Sequence, residues 1–229
     1  MKYFKYETHL HTAEVSACGR ASAKEQVEFY SELGFSGICI TDHFFNGNTT
    51  VPRNGITWEE KVELFCRGYV NAKSAAEKTG LDVFFGWEYS YSGTDILTYG
   101  LSPEWLLENP QIMEMYWRDY CDFVREEGGV VIHAHPFREE NYIKEIRLIP
   151  RNVNGAEVIN CGQAEFFNKR ADEYADNYGL IKTAGSDNHT AFAQKNIAGI
   201  KTKTKIKSSA ELAEIIKNGD FKIFRERVK

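Results

Sequence analysis

The sequence lacks the features of a membrane protein or of a disulfide-stabilised scaffold. No run approaches the ~18 apolar residues that a membrane span requires. The five cysteines are scattered and form no C-x-x-C pair, which indicates reduced thiols rather than a disulfide framework or a zinc knuckle. The first residues, Met-Lys-Tyr-Phe-Lys-Tyr-Glu, contain no apolar segment. We therefore expect no secretory signal, no membrane association and a cytoplasmic location.

Motifs of several common functional classes are also missing. The glycines do not fit the phosphate-binding pattern G-x-x-x-x-G-K-[ST], and no G-x-S-x-G indicates a serine nucleophile. No cysteine stands beside a histidine in a way that suggests thiol catalysis. The formal net charge of -5 disfavours a broad basic face for duplex nucleic acid. No linker divides the chain, so residues 1–229 are expected to form a single domain.

What the sequence does have is a concentrated set of histidines. All six lie at four places, each just after a short apolar run: His9, His11, His43, His133, His135 and His189. Two aspartates accompany them, Asp42 and Asp187. Histidine is a common metal ligand, and carboxylates complete such sites. This distribution predicts one polynuclear metal centre and favours metal-assisted hydrolysis.

Short apolar strands alternate with helices along the chain, which is typical of parallel βαβ units in an α/β protein. We predict strands at 3–8, 37–41, 83–87, 130–134, 156–159, 180–184, 197–200 and 221–224. We predict helices at 22–33, 57–79, 110–127, 141–148, 166–178 and 208–218. About seven such units come close to an eight-fold (β/α) barrel. The stretch 46–56, rich in Asn, Gly and Thr, is expected to be a loop over the site.

The candidate ligands follow the predicted strands, where barrel enzymes build their active sites. Residues two apart on a strand point the same way, so His9 and His11 can face one ion. A carboxylate leaving a buried strand, such as Glu88, should be paired or bound to metal, and it can bridge two ions. Asp187 is expected to be a ligand rather than a turn residue.

Other candidates keep more than one interpretation. Asp42 either binds metal, orients a neighbouring imidazole or caps a turn. Of His133 and His135, one is expected to be a ligand and the other a supporting or proton-transfer group. The loop carboxylates Glu14 and Asp95 are ligands or solvated side chains. Two arginines, Arg20 and Arg138, either bind phosphate or are structural.

These motifs resemble the polymerase and histidinol phosphatase (PHP) family of metal-dependent phosphoesterases. The matching elements are Thr8-His-Leu-His-Thr12, Thr41-Asp-His43, Gly86-Trp-Glu88, His133-Ala-His-Pro136 and Gly185-Ser-Asp-Asn-His189. The resemblance implies a distorted seven-stranded (β/α) barrel, similar to a TIM barrel, with two or three divalent ions (Mn, Zn or Fe).

The resemblance also implies a division of the ligands. One ion would be held by His9, His11, Glu88 and Asp187, a second by Glu88 and His135, and a third by His43 and His189. The sequence departs from the family at two positions. Asp95 stands where many members have a histidine. The loop after His11 offers Glu14 where many members have Asp or His.

The sequence thus predicts hydrolysis of a phosphate ester by a hydroxide that bridges two ions. A small phosphorylated molecule, cleaved as a phosphomonoester, is the first choice of substrate. Arg20 and Arg138 would neutralise phosphoryl charge, and His43, His133 or His189 would assist the leaving group. Three alternatives stay open: a phosphodiesterase or exonuclease on nucleotides or short oligonucleotides, a C–N hydrolase, and a non-catalytic metal-binding barrel.

Overall fold

The computed structural model describes residues 3–228, and within them nine strands form one sheet that curves into a nearly closed barrel. The strands are β1 (Phe4–Leu10), β2 (Gly37–Ile40), β3 (Asp82–Tyr91), β4 (Thr94–Tyr99), β5 (Val130–Ala134), β6 (Gly155–Asn160), β7 (Ile181–Gly185), β8 (Asn196–Thr202) and β9 (Lys222–Arg227). Their order is β7-β6-β5-β4-β3-β2-β1-β8-β9. A bridge between Leu10 and Asn188 draws the ends of β1 and β7 together. Residues 1, 2 and 229, which the single-domain prediction includes, lie outside the described residues.

The barrel is distorted because its strands are not all parallel. The pairs β1–β2, β2–β3, β5–β6 and β6–β7 are parallel, as predicted. Strand β4 runs antiparallel to both β3 and β5, and β8 runs antiparallel to both β1 and β9. The prediction of a distorted α/β barrel is confirmed, whereas the expectation of uniformly parallel units is wrong. Strand β4 was missed because a tight turn at Ser92-Gly93, both with positive φ, replaces a crossover helix.

Seven α-helices lie among the described residues: α1 (Ala23–Glu32), α2 (Trp58–Phe65), α3 (Arg67–Ala76), α4 (Pro103–Glu108), α5 (Trp117–Glu126), α6 (Glu165–Tyr178) and α7 (Ser209–Asn218). The capping boxes read from the sequence begin α1 and α2, where Ser22 and Thr57 accept from the backbone three residues on. Gly179 and Gly219 end α6 and α7 in the left-handed conformation.

Three predicted helices differ from the structure. The helix expected at 57–79 is two helices that meet at Cys66. Residues 110–113 form a 3₁₀ turn, and α5 begins only at Trp117. The segment 141–148 is not helical, because tertiary contacts hold it: Arg147 donates to Thr94 Oγ1 at 3.0 Å and lies over the ring of Tyr91.

Apolar side chains fill the space between the sheet and the helices. The largest buried cluster joins Phe65, Trp87 and Tyr120 from α2, β3 and α5. A second cluster packs α1 and α3 against β2, and a third packs α7 against β3, β4 and β5. No helix within residues 3–228 is long and apolar enough to cross a membrane.

Candidate metal centre

The barrel gathers predicted ligands from four strands at one face. His9 lies on β1 and His11 just beyond it, Glu88 lies on β3, His135 follows β5, and Asp187 follows β7. All five residues are buried or nearly so. Backbone bridges tie the segments together, including one between His43 and Glu88. The convergence follows from topology, since the carboxyl ends of neighbouring parallel strands meet at one face.

Four of these side chains form an inner cluster. His9 Nε2 lies 3.2 Å from His11 Nε2, 3.4 Å from Glu88 Oε1 and 3.5 Å from Asp187 Oδ1. His11 Nε2 lies 3.6 Å from Glu88 Oε2 and 3.3 Å from Asp187 Oδ1. A tetrahedral ion with ligand bonds of about 2.0–2.2 Å separates its ligands by roughly 3.3–3.6 Å. The five separations fall in or close to this range, with each histidine facing a different oxygen of Glu88, so the side chains lie close enough together to bind one ion.

Hydrogen bonds behind the cluster orient both imidazoles. His9 Nδ1 lies 2.9 Å from Glu157 Oε1, and His11 Nδ1 lies 3.1 Å from Ser16 Oγ. Ser16 Oγ in turn donates to Asp42 Oδ1 at 2.7 Å. With Nδ1 donating in each ring, the lone pair of each Nε2 is directed into the cluster. Metal-binding histidines typically have such partners, which fix the tautomer and the ring orientation.

Inside the cluster, neighbouring opposite charges counteract the effect of burial on the pKa of each side chain. Burial alone would lower the pKa of His9, but the carboxylates of Glu157, Asp187 and Glu88 raise it well above its ordinary value. Burial alone would raise the pKa of Glu88 and Asp187, but the neighbouring histidines hold both well below the ordinary range. Glu88 Oε2 is buried and lies 2.7 Å from His43 Nδ1, an ion pair that lacks the geometry of a hydrogen bond. A buried carboxylate oxygen in this condition fits a bound cation.

A second position adjoins the first across Glu88. His135 Nε2 lies 3.0 Å from Glu88 Oε1, and the Asp95 carboxylate on β4 lies within the same group of possible ligands. Asp95 Oδ2 is also paired with Arg138 at 3.1 Å. His135 and Asp187 have φ values of 26° and 52°, which are strained for residues other than glycine. The fold holds this strain at two of the ligand positions.

An outer group lies beyond His11. The rings of His43 and His189 lie 4.3 Å and 4.2 Å from the His11 ring, and both Nε2 atoms lie 3.2 Å from Cys18 Sγ. Burial raises the pKa of the Cys18 thiol, but hydrogen bonds with His189 and His43 lower it to about 6. Sequence reasoning did not find these two contacts of Cys18. It failed because the contacts span 25 and 171 residues of sequence.

Two candidates from the first loop do not face the cluster. The carboxylate of Glu14 accepts from the backbone N–H of Ala23 at 2.9 Å and thus caps the start of α1. It also accepts from Asn71 Nδ2. Arg20 has an exposed side chain, and its backbone N–H donates to the carbonyl of His189. The structure thus corrects Glu14 as a ligand and Arg20 as a phosphate-binding residue of this pocket.

Asp42 and His133, two further predicted ligands, also make contacts that turn them away from the inner cluster. Asp42 accepts from Thr12 N, Thr12 Oγ1 and Ser16 Oγ at 2.6–2.7 Å, so it supports His11 rather than facing an ion. His133 packs edge-on against Tyr174 of α6, and burial followed by the charge of His135 lowers its pKa to about 3. The positive φ of His135 explains the difference, because the strand has ended there and the two rings no longer share a side.

The centre opens into a cavity of about 540 Å³. Its wall includes Asp95, Asp187 and the outer group, together with Asn46, Asn48, Ser90, Arg138 and Tyr142. The predicted loop over the site thus contributes its first residues. Arg138 donates to Tyr142 Oη at 2.9 Å, and its buried Nε has no hydrogen-bond partner among residues 3–228. This arginine therefore keeps donor capacity for a ligand of the cavity.

Sequence reasoning missed Glu157, which supports His9. Its Oε2 accepts from His135 N at 3.1 Å and from Asn160 Nδ2 at 2.8 Å, so one carboxylate braces two ligand positions. A signal was present: Glu157 stands inside the apolar strand predicted at 156–159. A charge in a buried strand requires a partner, and the nearby histidines could supply it.

The model of the PHP domain family matches residues 7–222. Among curated protein sequences, none matches this chain at a significant level.

Several solved structures share the fold at low sequence identity. One is a two-domain Bacteroides vulgatus protein, described as containing a predicted PHP-like metal-dependent phosphoesterase, with 15% identity and a TM-score of 0.73. The alignment covers 97% of this chain but only 65% of that protein. Another, from Bifidobacterium adolescentis, carries a provisional assignment as a metal-dependent phosphoesterase; it has 17% identity, a TM-score of 0.55, and 93% and 96% coverage of the two chains.

A third similar structure is an amidohydrolase from Chromobacterium violaceum with bound sulfate and no metal. It has 14% identity and a TM-score of 0.59, with 95% of this chain and 97% of that chain aligned. At these identities the three structures demonstrate a shared fold.

Proposed function

Because the chain belongs to the PHP domain family, we propose that it is a metal-dependent phosphatase that releases phosphate from a small phosphomonoester. The observation that carries the proposal is the inner cluster of His9, His11, Glu88 and Asp187, whose donor atoms lie close enough together to bind one ion beside a cavity that Asp187 lines. When bound, divalent ions supply an activated water and neutralise charge on a phosphoryl group.

Two of the ion positions share Glu88 in this proposal. The inner position uses His9, His11 and Asp187, and the second uses Asp95 and His135. Glu157 keeps the His9 lone pair directed inward, and the Ser16–Asp42 pair does the same for His11. The donors are nitrogen and oxygen at these two positions, which suits Mn²⁺, Zn²⁺ or Fe²⁺.

Arg138 is the side chain that we assign to the phosphoryl oxygens. It lines the cavity, is largely buried, and keeps an unused donor at Nε. A guanidinium binds phosphate through two parallel hydrogen bonds, for which Lys has no equivalent geometry. The pairing of Arg138 with Asp95 places this donor beside the second ion position.

The cavity favours a small substrate. Its volume of about 540 Å³ lies in the range of pockets that bury small molecules, which run from about 300 to about 1,000 Å³. The one feature that favours a nucleotide or short oligonucleotide is Tyr142, which lies at the cavity with 67% of its surface exposed. A base could stack on such a ring. Phosphodiester cleavage is therefore the second candidate.

The test is phosphate release from a panel of phosphomonoesters, nucleotides included, by protein loaded with Mn²⁺ or Zn²⁺. We expect release that chelation abolishes and that Asp187→Asn reduces by at least about 1,000-fold. Arg138→Lys should raise KM more than it lowers kcat, because it weakens binding of the phosphoryl group. Cleavage of a model phosphodiester without monoester turnover would favour the second candidate. Ion-loaded protein that cleaves neither would support a non-catalytic barrel or a C–N hydrolase.

A further inference from the structure

We propose that Cys18 is a thiolate ligand that, with His43 and His189, forms an outer ion site selective for a thiophilic cation such as Zn²⁺ or Co²⁺. The proposal rests on the metal-binding part of the proposed function and is independent of the substrate. It concerns residues that line the cavity, with the rings of His43 and His189 4.3 Å and 4.2 Å from the His11 ring.

The first argument is the convergence of three possible ligand atoms. The Nε2 atoms of His43 and His189 both lie 3.2 Å from Cys18 Sγ. The other nitrogen of each ring is held from behind: His189 Nδ1 lies 2.9 Å from the Asp187 carbonyl oxygen, and His43 Nδ1 lies 2.7 Å from Glu88 Oε2. A cation can replace the protons that the sulfur and the rings share and bind all three atoms at once.

The second argument is preorganisation. The loop that carries Cys18 is bonded directly to the two histidine segments. Arg20 N and Ala21 N donate to the His189 carbonyl at 2.8 and 3.0 Å, and His43 N donates to Ser16 Oγ at 3.1 Å. Three donors that lie on distant parts of the sequence are thus held in position by the backbone. A site built on such supports loses little freedom when an ion binds.

The third argument is the chemistry of the donor set. Thiolate and imidazole are both ligands of zinc, whereas Mn²⁺ and Mg²⁺ prefer oxygen ligands. Each Nε2 is about as far from the sulfur as tetrahedral ligands are from one another, and all three residues line the cavity. The outer site should therefore hold Zn²⁺ or Co²⁺ even where the two inner positions hold Mn²⁺.

Cys18 differs in this respect from the other cysteines. Cys39, Cys66 and Cys121 are buried, mostly among apolar side chains. Cys161 is partly exposed, like Cys18, and among the described residues it makes no hydrogen bond to a histidine. Cys161→Ser is therefore the matched control for Cys18→Ser.

The experiment loads metal-free protein with Co²⁺ and reads two quantities: ions bound per chain and the near-ultraviolet charge-transfer absorption of a cobalt–thiolate bond. We expect that absorption in the wild-type protein and in Cys161→Ser, and its loss in Cys18→Ser. Loss of a direct ligand should weaken the outer ion by at least about 100-fold, while the inner ions stay bound. Cys18→His should restore the ion count without the charge-transfer band.

Two results would overturn the inference. One is wild-type protein saturated with Co²⁺ that lacks the charge-transfer absorption. The other is Cys18→Ser that keeps both the absorption and the full ion count. In both cases ions at the inner positions would leave the proposed function intact, whereas protein that binds no Co²⁺ at all would overturn both proposals. The retained inner ions and circular dichroism show that Cys18→Ser is folded.

Discussion

At the scale of the residue, the hydrogen bonds behind the ligands determine how well the inner cluster binds an ion. Glu157 accepts from His9 through one oxygen and from His135 N and Asn160 through the other. In Glu157→Gln, the side-chain NH₂ group must face either His9 Nδ1 or the donors from His135 and Asn160. The NH₂ group cannot accept a hydrogen bond, so one of these contacts is lost. We expect inner-ion affinity to fall about 10- to 100-fold, measured by competition with a metal-sensitive dye.

Glu14→Gln is the matched control for that measurement. Glu14 is the carboxylate that the sequence offered as a ligand, but it caps α1 away from the cluster. We expect it to lower stability by about 1 kcal/mol or less and to leave ion affinity unchanged. Reduced ion affinity in Glu14→Gln, or unchanged affinity in Glu157→Gln, would show that the roles of the two carboxylates are assigned incorrectly.

His133 supplies a prediction that depends on pH. Its pKa of about 3 in the folded protein lies below the ordinary value of about 6.5. Between these values the unfolded chain binds a proton that the folded chain does not, so His133 disfavours folding increasingly as pH falls from 6.5 towards 3. His133→Asn should remove up to about 1.4 kcal/mol per pH unit of this acid destabilisation.

The measurement is urea unfolding of chelated protein at several pH values, so that competition between protons and ions does not contribute. Ion binding by His133→Asn at neutral pH should equal that of the wild type, because His133 packs against Tyr174. A parallel pH dependence in the two proteins, or loss of ions from the variant, would contradict this assignment.

At the scale of the element, helix α3 lies close to the support of the centre at Gly68. A Cβ there would overlap the side chains of Asp42 and Thr12, which belong to the hydrogen-bonded support of His11. Gly68→Ala should therefore destabilise the fold by about 1–3 kcal/mol and weaken the inner ion, although Ala has the higher helix propensity. Chemical denaturation and ion titration measure the two effects.

Ser74→Ala is the matched control, since it introduces the same side chain at an exposed position of α3. Helix propensity alone makes this change neutral or slightly stabilising. If Gly68→Ala behaves like Ser74→Ala, the close approach of α3 to Asp42 does not contribute to stability.

Elements with strong local signals were predictable, and those set by tertiary contacts were not. Ser22 with Glu25 marks the start of α1 because the capping box is a local hydrogen-bond pattern. The end of α2 at Cys66 and the non-helical segment with Arg147 depend on neighbours distant in sequence. The same holds at the site: the H-x-H spacing indicated His9 and His11, whereas the contacts of Cys18 have no local pattern.

At the scale of the whole molecule, the family match confirms the predicted PHP family and, with it, a hydrolase of phosphoric esters. The substrate, the cytoplasmic location and the absence of nucleic-acid or membrane partners stay predictions. Stability should depend on bound ions, because they bind the assembled cluster and not the unfolded chain.

At an ion concentration 100 times the dissociation constant, the free energy of unfolding should rise by about 2.7 kcal/mol. For a chain of this size that corresponds to a rise in Tm of roughly 5–10 °C, measured by scanning calorimetry. Asp187→Asn should show a much smaller rise. A Tm that does not respond to Mn²⁺ or Zn²⁺ would mean that the cluster does not hold an ion.

The position of β1 in the sheet has a consequence for biosynthesis. This strand carries His9, yet it pairs with β2 on one side and β8 on the other, and its end bridges to Asn188. A ribosome therefore releases β1 long before it makes β8, and the contacts that complete the barrel are far apart in sequence. We therefore expect the inner cluster to assemble only after the segment with Asp187 has been made, and prematurely terminated chains should present an unpaired strand edge to chaperones and proteases.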